Sequence, residues 1–284
     1  MEKKILVPTN FSKHSWNALI FAMNLYKKHA CTFYLINVYH SQNFLSDAIA
    51  LGKEKEQKEN EEQVSKKGLE RMMKGLDFRK ENQKHQFKTI SYKGGLKDGI
   101  QETVEKYGVE LIVLGAAGEI AGINSINDSS ISKISEEIEE CPIMVVPEKY
   151  ELKTNKLLEL VFPSNFRIPF KKKELTPLIE LSLQLGASIR VLYINSEGKK
   201  LTEEQEKIKA ELSGHLEEID FSFHTLTQTS PSTGVHLFIE SRESDLLALY
   251  QRKQGFFSKL FRSNRSNEIN FDPKLPVLVL KEVQ

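Results

Sequence analysis

Cysteine is scarce in this chain. Only Cys31 and Cys141 occur in 284 residues, and they form no Cys-x-x-Cys pair. That argues against a disulfide framework or a structural zinc site, and two buried thiols are the expectation. Long uncharged apolar runs are also missing. The N-terminus, Met1-Glu2-Lys3-Lys4, is followed by three apolar residues and then Pro8. This is too short for the core of a signal peptide, so a cytoplasmic protein without stable membrane insertion is expected. Neither sign of charge dominates: 40 basic and 39 acidic residues leave a net charge of +1. That balance gives no global electrostatic case for a nucleic-acid partner.

Catalytic signatures are absent as well. There is no Gly-x-x-x-x-Gly-Lys-[Ser/Thr] loop and no Gly-x-Gly-x-x-Gly after the first strand. No Gly-x-Ser-x-Gly elbow occurs. The seven histidines show no His-x-x-x-His pairing and no acidic partner at metal-ligand spacing. No catalytic residue and no metal ligand can be named on these grounds, and binding is a better reading than catalysis.

What is present is an alternation of strands and helices. Ile5-Leu6-Val7-Pro8 reads as a short strand, and Ser12 can cap a helix in which Trp16, Leu19, Ile20 and Met23 share one face. Thr32 to Val38 is β-branched and aromatic, hence a second strand, and strand–helix–strand over this length implies parallel pairing. Ser41 to Gln63 is highly charged and reads as a solvated helix or loop. Val64, Gly68, Leu69, Met72, Met73 and Leu76 then form an apolar stripe at roughly helical spacing. Phe87 to Tyr92 is a third strand, and Leu96 to Tyr107 a helix ended by Gly108.

The stretch from Leu111 to Pro147 carries the candidate site. Leu111-Ile112-Val113-Leu114 is apolar on both faces, as a covered parallel strand should be. Gly115-Ala116-Ala117-Gly118 follows, then a polar loop to Ser129-Ser130, an isoleucine-spaced helix and Cys141-Pro142-Ile143-Met144-Val145-Val146-Pro147. Glycines can bring backbone N–H groups close to a phosphate, and a serine-capped helix start favours an anion. The plain alternative is an ordinary strand-to-helix connection. In a 3-2-1-4-5 sheet, Pro8-Thr9-Asn10 and the glycine turn would face each other across the crevice where the winding reverses, with Val38 on its wall.

After a charged, unpatterned linker from Glu148 to Lys156 the plan restarts. Phe162-Pro163-Ser164-Asn165-Phe166 echoes Val7-Pro8-Thr9-Asn10-Phe11, and Leu192-Tyr193-Ile194-Asn195 echoes Leu35-Ile36-Asn37-Val38. Asp245 to Leu249 echoes Glu110 to Leu114, and Pro276 to Leu280 echoes Pro142 to Val146. Four echoes in order mark an internal duplication. The second copy puts Tyr250 at the place of Gly115 and Lys253 at the place of Gly118. The glycines therefore read as separable from the fold and as serving a ligand. A basic-aromatic run with Phe256-Phe257 follows in the second copy, either packing on its own domain or offering a contact surface.

On these blocks the first half resembles a universal stress protein domain, and the whole chain is similar to a tandem member of that family. The resemblance implies an α/β chain of two tandem Rossmann-like, adenine nucleotide alpha hydrolase-like domains. Each would be a five-stranded parallel sheet flanked by helices, over residues 1–148 and 149–284. Members commonly dimerise, or pair tandem domains, through the last strand. ATP-binding members carry Gly-x-x-Gly, nine residues, then Gly-[Ser/Thr]. Gly115 and Gly118 match the first part; counting on reaches Asp128-Ser129, and counting back from Cys141-Pro142 reaches Ser129-Ser130. Neither register supplies the later glycine, and Asn10 stands where the family usually has an acid. By this resemblance ATP or AMP, with magnesium as a possible companion, would contact Pro8, Thr9, Asn10 and Val38. Its phosphates would lie near Gly115, Ala116, Gly118, Ser129, Ser130 and Ile131. The implied role is regulation under stress. A protein-interaction module without a small ligand is the alternative, and a slow ATPase a further one.

Overall fold

The computed structural model describes residues 2–39, 51–79, 82–116, 137–152, 156–196, 198–251 and 274–282, with backbone alone for 51–60. The chain divides into two compact units, Met1–Cys141 and Pro142–Gln284.

In the first unit β1 (Lys3–Pro8), β2 (Cys31–Tyr39), β3 (His85–Lys93) and β4 (Leu111–Ala116) lie in the order β3-β2-β1-β4. Every pairing among them is parallel. Helices α1 (Lys13–Leu25), α2 (Leu51–Asp77) and α3 (Leu96–Tyr107) connect them. Burial follows strand position. From Cys31 to Asn37 every residue of β2 is buried, whereas β3, at the edge, is nowhere fully buried. A parallel strand inside the sheet is covered on both faces and an edge strand is not. Helix α1 starts where Ser12 accepts the Ser15 amide, and α3 stops at Gly108, whose φ of 63° is left-handed. The buried face of α1 is Ser15, Ala18, Leu19, Phe21, Ala22 and Leu25. Trp16, Ile20 and Met23 lie on its flank rather than its buried face. The reason is visible at Trp16, whose ring lies 3.0 Å from where a Cβ on Gly75 of α2 would stand.

The second unit repeats the plan with β6 (Glu159–Pro163), β7 (Ser188–Asn195), β8 (Phe221–Thr227), β9 (Leu246–Gln251) and β10 (Val277–Lys281). Their parallel order is β10-β9-β6-β7-β8. The helices are α4 (Lys172–Leu185), α5 (Glu203–His215) and α6 (Pro231–Arg242). β5 (Ile143–Pro147) is counted with this unit, since it pairs antiparallel with β10. The division between units thus falls ahead of the linker read at Glu148 to Lys156.

The duplication is confirmed in register, with one shift. Pro8 pairs with Ile36 and Pro163 with Leu192, so Leu192 corresponds to Ile36 and not to Leu35. The sequence echo in this strand is one residue out. In a strand one residue reverses the face, so Tyr193 takes the place of Asn37.

Candidate functional site

The strands bring Pro8, Thr9 and Asn10, at the end of β1, beside Val38 on β2 and Gly115 and Ala116 on β4. Gly118, Ser129, Ser130 and Ile131 lie outside the described residues, as do Phe256 and Phe257. β1 sits between β2 and β4, and the winding reverses there. The crossovers out of β1 and β2 run towards β3, while the one out of β3 returns over β2 and β1 to reach β4. With right-handed crossovers this places α3 on the opposite face from α1 and α2, and opens a crevice beyond the strand ends.

The turn after β1 is built by two side chains. The Phe11 amide donates to Thr9 Oγ1 at 3.0 Å, and the Ser12 amide donates to Asn10 Oδ1 at 3.2 Å. Both are short local turns in which a side-chain oxygen replaces a backbone acceptor. The second unit repeats them: the Phe166 amide donates to Ser164 Oγ and the Arg167 amide to Asn165 Oδ1. In both copies the phenylalanine is left-handed, with φ of 64° at Phe11 and 52° at Phe166. For an aromatic residue that conformation is strained and must be held by its surroundings. The echo Pro-[Thr/Ser]-Asn-Phe is therefore a turn signature, and Asn10 has a structural part in it.

Thr9 is fully engaged. Its amide donates to the Ile36 carbonyl, and its carbonyl accepts from Asn37 Nδ2 at 2.7 Å. Ser15 Oγ donates to the Ser12 carbonyl, so the Thr9 hydroxyl proton is left for Ser15 Oγ at 2.9 Å or Met72 Sδ at 3.2 Å. Thr9 shapes the crevice rather than offering a hydroxyl to it. Val38 leans towards α3, where its Cγ2 lies 3.1 Å from the Cβ position of Gly99. Asn10 and Ala116 remain half-exposed at the rim.

Gly115 overturns the expectation that it is dispensable for the fold. A Cβ there would overlap the His14 carbonyl and come within 2.9 Å of the Ser15 nitrogen, both in the first turn of α1. The glycine lets the helix backbone rest on β4. The second copy tolerates Tyr250 because its connection is longer. Residues 9–12 separate β1 from α1, but residues 164–171 separate β6 from α4. The extra residues bring in Phe170, which packs edge-on against Tyr250 at 5.1 Å and against Phe162 at 5.5 Å. An aromatic layer replaces the close helix contact.

A second feature escaped sequence reading. Phe11, Ser12, Lys13 and Trp16 of one wall and Val64, Lys67, Gly68, Arg71 and Met72 of α2 enclose a groove of about 450 Å³. The Phe11 ring lies against Gly68 so closely that any Cβ there would overlap it. The visible signal was Gly68 and Gly75, two glycines seven apart on a helix, each seating an aromatic ring.

The thiols are buried: Cys31 and Cys141 are both inaccessible and form no disulfide. Burial, with smaller contributions from Glu110 and Glu2, pushes the Cys31 thiol up to about 12. Such a thiol is not a nucleophile at neutral pH. Among the described residues no three His, Cys, Asp or Glu side chains converge on a metal position, and no helix is long and apolar enough to cross a membrane.

Solved structures share this architecture. A universal stress protein from Archaeoglobus fulgidus DSM 4304 aligns over 98% of this chain and 96% of its own, at 16% identity and a TM-score of 0.58. The cytoplasmic domain of a prokaryotic cation chloride cotransporter aligns over 99% of this chain and 96% of its own, at 9% identity and a TM-score of 0.50. UspA, a universal stress protein from Lactobacillus plantarum, covers 50% of this chain with 96% of its own, at 20% identity and a TM-score of 0.42. At these identities the first two likenesses speak to the fold alone. A search of curated protein sequences gives no match. The sequence profile of the Universal stress protein family matches residues 1–147, from β1 through β5 and just over half of the chain. With two copies of the β-α-β plan, the turn signature in both and this match, the chain belongs to the universal stress protein family.

Proposed function

We propose that the first domain binds an adenine nucleotide, ATP or AMP, at the ends of β1 and β4, and that the consequence is regulatory rather than catalytic. The observation that carries this reading is the reversal of winding at β1, with Asn10 and Ala116 half-exposed on the two strand ends. Family membership supports it, since nucleotide binding occurs among universal stress proteins. Magnesium would accompany a triphosphate and be held mainly by it. A cytoplasmic, homodimeric regulator of the stress response is the biological setting this implies.

Calorimetric titration with ATP and with AMP is the test. Saturable binding with a dissociation constant below about 1 mM is expected, equivalent to roughly −4 kcal/mol. Silence at millimolar nucleotide overturns the reading. Gly118→Val should abolish binding in a folded protein. Gly115 is unsuited to the same use, because a side chain there collides with α1 and confounds folding with affinity.

One observation favours a second reading. The Thr9 hydroxyl donates to Ser15 or Met72 and accepts from the Phe11 amide, which removes a polar group from the crevice. A protein-interaction module needs no such group. A partner captured by the full chain and lost on changing Phe256 and Phe257 to Ala, with folding intact, would favour it.

A further inference from the structure

None of the described residues of the proposed nucleotide crevice, Pro8, Thr9, Asn10, Val38, Gly115 and Ala116, lines the groove between α1 and α2. Its inner surface is apolar and aromatic: Phe11, Trp16, Val64 and Met72. Phe11 is 38% exposed and Val64 57% exposed, high values for apolar residues that face a concavity. Its charged lining is of one sign. Lys13, Lys67 and Arg71 line it and no carboxylate does. None of the three side chains makes a hydrogen bond or ion pair among the described residues. Lys67 and Arg71 stand four apart on α2, so like charges face each other along the helix, a mildly destabilising arrangement that an anion would relieve.

The second unit supplies an internal control. Phe166 occupies the position of Phe11, in the same left-handed turn, yet it is 1% exposed. Tyr193 packs on it at 5.5 Å and Phe223 at 5.9 Å. By strand register the first unit has Asn37 and Thr89 in their places. Self-packing that closes the second copy is therefore missing from the first. The strained phenylalanine is retained but left partly open beside three cations.

We infer that this groove is a binding site for a small organic anion with a flat apolar body, such as an aryl phosphate or aryl carboxylate. The ring lies against Phe11 and Trp16, and the anionic group is held by Lys67 and Arg71 with Lys13 opposite. Its volume of about 450 Å³ is in the range of small-molecule sites. Aromatic contact supplies affinity for the ring, and paired cations recognise the anion.

Trp16 is the sole tryptophan of the chain, so its emission reports this groove alone. The full-length protein is titrated with phenyl phosphate, with phenol and with inorganic phosphate. Phenyl phosphate should change the Trp16 emission saturably. Phenol and inorganic phosphate should each bind at least about tenfold more weakly, since each lacks half of the recognition. The double variant Lys67→Glu, Arg71→Glu changes two exposed side chains; it should keep the wild-type circular dichroism and lose at least about tenfold in affinity. A Lys173→Glu control, on α4, should bind as wild type. No saturable change up to about 10 mM phenyl phosphate overturns the inference, that limit corresponding to binding weaker than about −3 kcal/mol. Equal affinity for inorganic phosphate, or undiminished affinity in the double variant, overturns it as well.

Discussion

Single residues decide more here than their chemistry suggests. Gly115 read as a ligand glycine because its repeat partner is Tyr250, yet its missing Cβ is what admits the first turn of α1. Gly115→Ala should therefore destabilise the protein by about 2–3 kcal/mol, the cost of overpacking against backbone that cannot move aside. A lowered midpoint in urea with an unchanged slope would register it. Glu159, in the second unit, is another such residue. Burial raises its carboxyl, but hydrogen bonds from Arg242, Arg190 and Ser244 outweigh that and hold it at about 2, against an ordinary value of 4.5. A carboxylate whose value is lowered by folding stabilises the native state above the unfolded value. That contribution is present above pH 4.5 and is lost as pH falls towards about 2. Glu159→Gln should cost about 1–2 kcal/mol at neutral pH, less than a fully buried pair because Arg242 is partly exposed. The variant should also lose part of the wild-type acid sensitivity in that window, which denaturation at a series of pH values would read.

At the scale of elements, the two copies solve one problem in two ways. The Pro-[Thr/Ser]-Asn-Phe turn forces a phenylalanine into left-handed geometry in each. The second copy buries that ring under Tyr193 and Phe223, and the first lays it on Gly68 of α2 with one side open. Phe166→Ala should then cost about 3–5 kcal/mol, as for a buried aromatic. Phe11→Ala should cost less, about 1–2 kcal/mol, because the exposure of the ring limits the loss. Thermal melts of the two variants would separate them, and similar losses would contradict this account. Much of this was legible in the sequence. Ser12 as a cap and Gly108 as a helix stop were readable because both act through their own backbone neighbourhood. The one-residue shift at Tyr193 was not, because an apolar run looks alike in either register until the partner strand is fixed.

For the whole molecule, duplication is the organising fact. Among the described residues β1 to β4 lie in the first unit and β5 to β10 in the second, where β5 and β10 pair antiparallel. β5 is short and apolar, with Ile143, Met144 and Val146 buried. A fragment ending near residue 150 would retain β5 without β10 and expose a pairing edge. It should self-associate, and light scattering on the eluting fragment should give at least twice its monomer mass; a clean monomer would show that β5 needs no partner.

The stretch from Leu111 to Pro147 shows where sequence and structure part. The sequence by itself established the duplication, the parallel α/β plan and the family, because those rest on periodicity, turn chemistry and ordered blocks that are local in the chain. It could not tell a glycine that admits a ligand from one that admits a helix, since Gly115 meets His14 across a hundred residues of chain. Nor could it show the cationic groove, whose walls Phe11 and Arg71 come together only when α1 and α2 pack on one sheet. Contacts between distant segments are set by packing, and only the tertiary structure decided them.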